Sequence, residues 1–363
     1  MKKYLIFIFS IIVFSSFDNS PVLLSKSDTL TLLFAGDIMG HAPQFNAAYN
    51  PALKNFNYNV CFQSVKSYIQ AVDIAIVNLE VPLAGQPYSG YPNFSSPDAL
   101  LDGLKNAGYD VILTANNHVL DRNRKGLERT VNTIKNRNLL YAGSYLNKLQ
   151  RDSIYPLIID KKGFRIAILN CTYGSNENLP TFPNLVNYID TIQIKEDVKK
   201  ASNSNADLII MTVHWGTEYH LIANDVQKKM AHFFANNGIH LIIGSHPHVV
   251  QNAEVIYGND SMQVPVFYSL GNSISNQRNP NTDGGIMVKA EIVISSKKQI
   301  KTSYLPVYVH KGYLKGIFQY HLIPTSDYLS HPELFKLNKT DSLSLINFDN
   351  STKKRLSNID LIQ

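Results

Sequence analysis

The sequence predicts an α/β fold in which helices pack on the faces of β-sheets. Two observations carry this. Short apolar runs rich in β-branched residues recur along the chain at 30–34, 74–77, 111–113, 165–169, 208–213, 241–243 and 266–268. Between several of them lie stretches with helical spacing. Runs of this length bounded by turn residues read as buried strands, and their alternation with helices points to sheets covered by helices. The 363 residues suffice for one large domain with appendages. Hydrophobic residues make up 44% and charged residues 17%, which supports a packed core rather than a disordered chain.

Three helices stand out. Ser96-Pro97 followed by an apolar-periodic stretch and Gly108 supplies an N-cap, a proline at the first helical position and a C-terminal glycine. Residues 125–136 and 225–236 also show helical spacing, the latter ending at Asn237-Gly238. Beyond about Lys297 the strands 304–309 and 316–322 give the domain a β-rich finish, and the polar residues 326–363 read as a surface-bound or loose tail. The organisation expected is therefore a leader at 1–17, a linker at 18–28, a domain at 29–325 and the tail.

Lys2 and Lys3 precede an almost wholly apolar segment that ends at Phe17, a pattern read as a secretory signal or membrane anchor. A buried helix of a cytosolic protein is the alternative. The expected location is extracytoplasmic: periplasmic, secreted or anchored. The two cysteines, Cys61 and Cys171, are expected to remain thiols. The formal charge of +6 suits an anionic substrate or surface, and the absence of a dense Lys/Arg stripe or a nucleic-acid-binding motif argues against nucleic acid as a partner.

The chemistry-bearing side chains share one placement, just after the apolar runs. They are Asp37, Glu80, Asn117 with His118, His214, His246 with His248, and Asn272. In open α/β sheets the carboxyl ends of strands face the ligand crevice, so this placement predicts a hydrolytic metal site. Imidazole, carboxylate and amide oxygen suit one or two divalent transition ions such as Mn, Fe or Zn. The absence of cysteine from the set argues against a closed structural zinc site. Taken singly, each residue has a plainer role. Asp37 can serve a turn, Glu80 a solvated loop, Asn116, Asn117 and Asp121 a helix cap, and His214 a core. His41, His220, His232, His240, His310, His321 and His331 are read as structural.

The strings Gly36-Asp37, Asn78-Leu79-Glu80, Asn116-Asn117-His118, His214-Trp215-Gly216, Ser245-His246-Pro247-His248 and Ser269-Leu270-Gly271-Asn272 occur in this order. They resemble the motifs of the bacterial poly-gamma-glutamate capsule biosynthesis family, the CapA type, which is similar to calcineurin-like metallophosphoesterases. The resemblance covers about residues 30–310. It implies a four-layer α/β/β/α sandwich and assigns roles. Asp37 and His248 would hold one metal, and Asn117, His214 and His246 the other. Glu80 would bridge them, and His118 would be a non-ligand acid or charge stabiliser. Asn272 would shape the site. An anionic polymer or phosphoester is the implied substrate, and a membrane-bound capsule synthesis complex the implied partner.

Two departures from the resemblance stand out. Met39 occupies the place where the superfamily usually has a histidine, and a thioether is a poor ligand for hard cations. His41, two residues on, is the nearest replacement. Asp121-Arg122-Asn123 stands where an Asp-x-Gly string is usual, and asparagine is the non-glycine residue best suited to a positive φ there. The function expected is metal-dependent phosphoester hydrolysis in assembly of an envelope polymer, with amide hydrolysis on a glutamyl chain less favoured. The alternative is a non-catalytic component of a synthesis or export complex.

Overall fold

The computed structural model describes residues 29–177, 181–259, 261–294 and 298–362. The expected leader at 1–17 and linker at 18–28 lie outside them.

Two mixed sheets form the interior. In the first, β1 (Leu30–Ile38), β2 (Ile74–Leu79), β3 (Val111–Leu113) and β4 (Leu140–Ala142) run parallel and adjacent. The second contains β5 (Leu157–Lys161), β6 (Phe164–Thr172), β7 (Leu208–His214), β8 (Leu241–Ser245), β9 (Ala253–Tyr257) and β10 (Gln263–Phe267). There β6, β7, β8 and β10 are parallel, with antiparallel strands at both edges. The chain then returns to the first sheet. Short β11 (Asn272–Ile274) pairs with β1 in parallel. On that same side of β1, opposite β2, β12 (Gly284–Ile294), β13 (Lys298–Leu314) and β14 (Ile317–Pro324) extend the sheet as an antiparallel meander. All seven apolar runs predicted as strands are strands. Most of them are buried throughout, as strands covered on both faces must be.

Helices complete the outer layers of the α/β/β/α sandwich. α1 (Ala99–Ala107) and α2 (Asn123–Asn136) follow parallel strands of the first sheet, while α3 (Thr191–Asn203) and α4 (Asp225–Asn236) pack on the second. α4 begins with a full capping box, Asn224 and Gln227 satisfying each other's backbone N–H groups. Gly108 ends α1 at φ 117° as expected, but the N-cap is Asp98 rather than Ser96. Ser96 is buried, and its hydroxyl lies where a side chain at Gly40 would stand, so it packs against the loop after β1 instead of capping. Asn123 takes φ 57°, the conformation expected where the related string carries glycine.

The segment read as a polar tail is neither loose nor merely surface-bound. Its helix α5 (Lys339–Arg355) buries Leu345 and Phe348 against the meander. Arg355 donates to the carbonyl of Val250 at 2.9 Å. β15 (Asp360–Leu361) then adds to β13. Polar composition concealed this because the buried face of the helix is itself half polar, Asp349 and Thr352 being buried with Leu345 and Phe348. Cys61 and Cys171 are buried thiols.

Two glycines admit the backbone between β10 and β11 against a strand of each sheet. A Cβ on Gly36 would stand 2.0 Å from the carbonyl oxygen of Gly271, and one on Gly244 the same distance from that of Tyr268. We expect Gly36→Ala to destabilise the fold by roughly 2–4 kcal/mol in denaturant unfolding, since the colliding atom is backbone and cannot rotate away. A change below about 0.5 kcal/mol would show that the strands can move apart freely.

Candidate metal centre

The carboxyl ends of the parallel strands from both sheets meet at one place. β1 carries a bulge there. Ala35 pairs with Val77 and Asp37 with Asn78, so Gly36 is the extra residue that re-aims Asp37. Asp37 pairs on its other side with Asn272, and its N–H donates to Gly271. Glu80 follows β2 directly, its N–H donating to Ile38. Asn117 and His118 follow β3, and His214 is the last residue of β7, in register with Ser245 of β8. His246 and His248 come next, with φ of 102° and 58°, on either side of Pro247. Two successive histidines in sparsely populated backbone regions mark a turn held by its surroundings.

All seven predicted site residues are buried and gathered at this point. Glu80 Oε1 lies 3.4 Å from His214 Nε2 and 3.7 Å from His248 Nε2. Asp37 Oδ2 lies 3.3 Å from His248 Nδ1. His214 Nε2 is 2.8 Å from Asn117 Oδ1. Two triads, Glu80–His214–His246 and Asp37–Glu80–His248, have ligand atoms within 4.8 Å of one another, and Glu80 belongs to both. Neither Glu80 oxygen accepts a hydrogen bond, and His246 Nδ1 is likewise buried without a partner. Buried polar atoms are nearly always paired, so three convergent orphans fit a missing cation. The donors are oxygen and nitrogen only, which fits a divalent transition ion.

Electrostatics agree. Burial and then the neighbouring Asp37 carboxylate push Glu80 well above the ordinary carboxylate range. Burial, with the adjacent imidazoles, lowers His214 well below the usual histidine value and His246 to about 3. His214 and His246 are thus held neutral, the form that can coordinate a metal.

An outer set of hydrogen bonds orients these groups. His214 Nδ1 meets Ser245 Oγ at 2.8 Å, leaving Nε2 toward Glu80. His248 Nδ1 meets Asn272 Oδ1 at 3.1 Å, so Asn272 positions a ligand, as expected for a residue that shapes the site. Its amide is in turn fixed by Thr282 O and Gln277 Oε1. Asn78 donates to Asp37 Oδ1 at 2.8 Å. Such partners fix ring orientation and ligand basicity.

The cap reading of Asn116 and Asp121 does not hold. Asn116 donates to the carbonyl of Leu79, and α2 starts at Arg122 without a side-chain cap. Asp121 instead accepts from Phe94 N–H at 2.8 Å and meets His118 Nδ1 at 2.7 Å, with Phe94 edge-on to the imidazole. His41 does not replace Met39. Its Nδ1 and backbone N–H are both held by Gln44, at the start of the helix Ala42–Ala48, while Met39 is buried in the core. Sequence reasoning placed Asn78 and Ser245 in motif strings without giving them a role, and missed Asn176 and Tyr173. Asn176 lies 3.4 Å from His118 Nδ1, and the Tyr173 ring lies 4.7 Å from that of His246. Polar or aromatic residues of this kind are common, and only tertiary placement distinguishes these.

Fold and site together define an α/β/β/α sandwich with a candidate metal centre where the strand ends of its two sheets meet. Residues 31–277 match the family described as bacterial capsule synthesis protein PGA_cap, and the chain belongs to that family. Among curated relatives, it is 27% identical over 287 residues to the capsule biosynthesis protein CapA of Bacillus anthracis, covering 74% of this chain and 66% of the relative. It is 25% identical over 311 residues to the PGA biosynthesis protein CapA of Bacillus subtilis (strain 168), covering 81% and 76%. Among solved structures, the NAD nucleotidase NadN of Haemophilus influenzae has a TM-score of 0.48 at 10% identity, over 90% of this chain and 60% of that one. The 5'-nucleotidase from Candida albicans SC5314 has a TM-score of 0.41 at 13% identity, over 92% and 59%. Among the described residues no helix is long and apolar enough to cross a membrane.

The pH dependence of the metal-free fold follows from these shifts. Glu80, raised when folded, binds a proton that the unfolded chain releases, so its contribution to stability falls as pH rises above the ordinary glutamate range. The depressed His214 and His246 act oppositely, and the fold loses stability as pH drops below about 6.5. Glu80→Gln should therefore raise the melting temperature of chelator-treated protein at pH 8 by roughly 2–5 °C while abolishing stabilisation by added manganese. Unchanged manganese stabilisation would remove Glu80 from the ligand set.

Proposed function

We propose that this protein is an exported metal-dependent hydrolase, of phosphoesterase type, acting on an anionic envelope polymer or its phosphoester precursor. The observation that carries this is Glu80, a fully buried carboxylate with two unpaired oxygens shared by two ligand triads. The capsule-related names of the relatives support the polymer, and the basic-apolar N-terminal pattern supports export. Divalent cations in such a site polarise a phosphoryl oxygen and acidify water. Asp37, Glu80 and His248 would hold one, and Glu80, His214, His246 and Asn117 the other.

The chain's own residues supply the rest. Asp121 occupies one side of the His118 imidazole, so Nε2 is the nitrogen left to give a proton to a departing oxygen. Phe94, edge-on to the imidazole, fixes the ring further. His118→Ala should leave bound metal unchanged and lower phosphodiester hydrolysis by about 10²–10⁴-fold. Loss of metal from this variant would make His118 a ligand instead.

Met39 favours a second reading, a non-catalytic component of a synthesis or export complex that keeps the fold and one metal. The position around Asp37 has one private imidazole, whereas the other has two and an amide oxygen. We expect one tightly held cation and one that exchanges readily. Metal stoichiometry and phosphodiester hydrolysis measured together on wild type and Met39→His decide the matter. A rise in both marks a hydrolase below its full metal complement. Two tightly held equivalents in wild type would refute the asymmetry. Full loading of Met39→His without hydrolysis would favour the non-catalytic component.

A further inference from the structure

The loop after β11 carries a feature that the metal centre does not use. Asn276 accepts at its Oδ1 from the Tyr320 hydroxyl, at 2.5 Å, and from Lys311 Nζ, at 3.2 Å. Tyr320 is fully buried, and two cations cover its ring. The Arg278 guanidinium carbon and Lys311 Nζ each lie 5.7 Å from the ring centroid. Both cations belong to exposed residues, and neither forms an ion pair with a carboxylate among the described residues. Arg278 influences the half-buried Asp283 electrostatically, and its guanidinium donates to the carbonyl of Gln277 at 2.9 Å.

The same loop is tied to the metal centre. Gln277 Oε1 accepts from Asn272, which holds His248, and Gln277 Nε2 reaches the Tyr219 hydroxyl at 3.4 Å. The Tyr219 ring lies 6.3 Å from that of His248. The backbone N–H of Asn276 points to His41 Nδ1. Two like charges gathered on one ring repel each other. The cation–π contacts offset part of that cost, and a bound anion would offset more.

We propose that Arg278 and Lys311, set over Tyr320, form an anion subsite beside the metal centre that grips a carboxylate of a polyanionic chain while another part of the chain lies at Glu80. This rests on the reading of the substrate as an anionic polymer. A small phosphoester would be held at the metal centre alone. A cation pair displaced from it by the Asn272–Gln277 segment serves only a ligand that extends past the reacting group. Carboxylate is favoured over phosphate because the two cations are single donors on different elements, Arg278 in the loop after β11 and Lys311 on β13, spaced to meet the separate side-chain charges of an extended chain.

The test uses the full chain and a short labelled γ-glutamyl oligomer, with binding read by fluorescence anisotropy at two salt concentrations. Arg278→Gln/Lys311→Gln should weaken binding about tenfold and flatten its salt dependence. Lys199→Gln/Lys229→Gln removes the same charge from helices α3 and α4 and should change affinity less than about twofold. Manganese binding by both double variants reports an intact fold. Equal losses in the two double variants would reduce the effect to general charge attraction and overturn the subsite. Absence of oligomer binding by wild type would overturn it as well. A matched polyphosphate that is weakened when the γ-glutamyl oligomer is not would overturn the carboxylate assignment. Wild-type protein that binds the oligomer but hydrolyses no phosphodiester would sink the proposed hydrolase and leave the subsite standing.

Discussion

Negative charge without a basic partner is the constraint on which this structure turns. Glu80 is completely buried beside Asp37, and no lysine or arginine pairs with either among the described residues. Removing a carboxylate from water costs several kcal/mol even after relaxation. Imidazoles held neutral do not repay that cost. The local architecture nevertheless concentrates on bringing these groups together. The bulge at Gly36 turns Asp37 inward, the bare α-carbons of Gly36 and Gly244 admit neighbouring carbonyls, and two histidines accept positive φ to face Glu80. Strain and desolvation collected at one point are intelligible when a cation completes the centre.

The two halves of the centre are supported differently. The His214–His246 side is braced within the second sheet by Ser245 and reaches the first through Asn117. The Asp37–His248 side depends on the strand pair between β1 and β11 and on the amide of Asn272. Because Asn272 also contacts Gln277, any shift of the loop over Tyr320 is transmitted to a ligand imidazole. The loop carrying Gln277 is therefore coupled through Asn272 to His248, on one side of the centre only.

Much of this was legible in the sequence, for identifiable reasons. Asp37, Glu80, Asn117, His118, His214, His246 and His248 could be found because reactive residue types sit immediately after apolar runs, and sheet geometry carries strand ends to a common edge. The strands were legible because they are buried on both faces and so read as continuous apolar runs. Other features had no local signal. Ser245 and Asn78 matter through partners far away in sequence. Asp121 looked like a helix cap because an acidic residue before a helix usually is one, yet its carboxylate is occupied by His118 and Phe94. Ser96 was misread for a similar reason, packing against Gly40 having displaced capping. The tail was underestimated because the face its helix buries is itself half polar.

β1 sits in the middle of its sheet, with β2 on one side and β12 and β11 on the other. The first of these neighbours is made early in synthesis and the others only after the whole second sheet has been added. A growing chain therefore carries a half-paired central strand, with Asp37 lacking Gly271 and Asn272, through most of its elongation. Such long-range closure is slow relative to local pairing. Molecules halted before the meander would present an open strand edge, which makes them prone to aggregation.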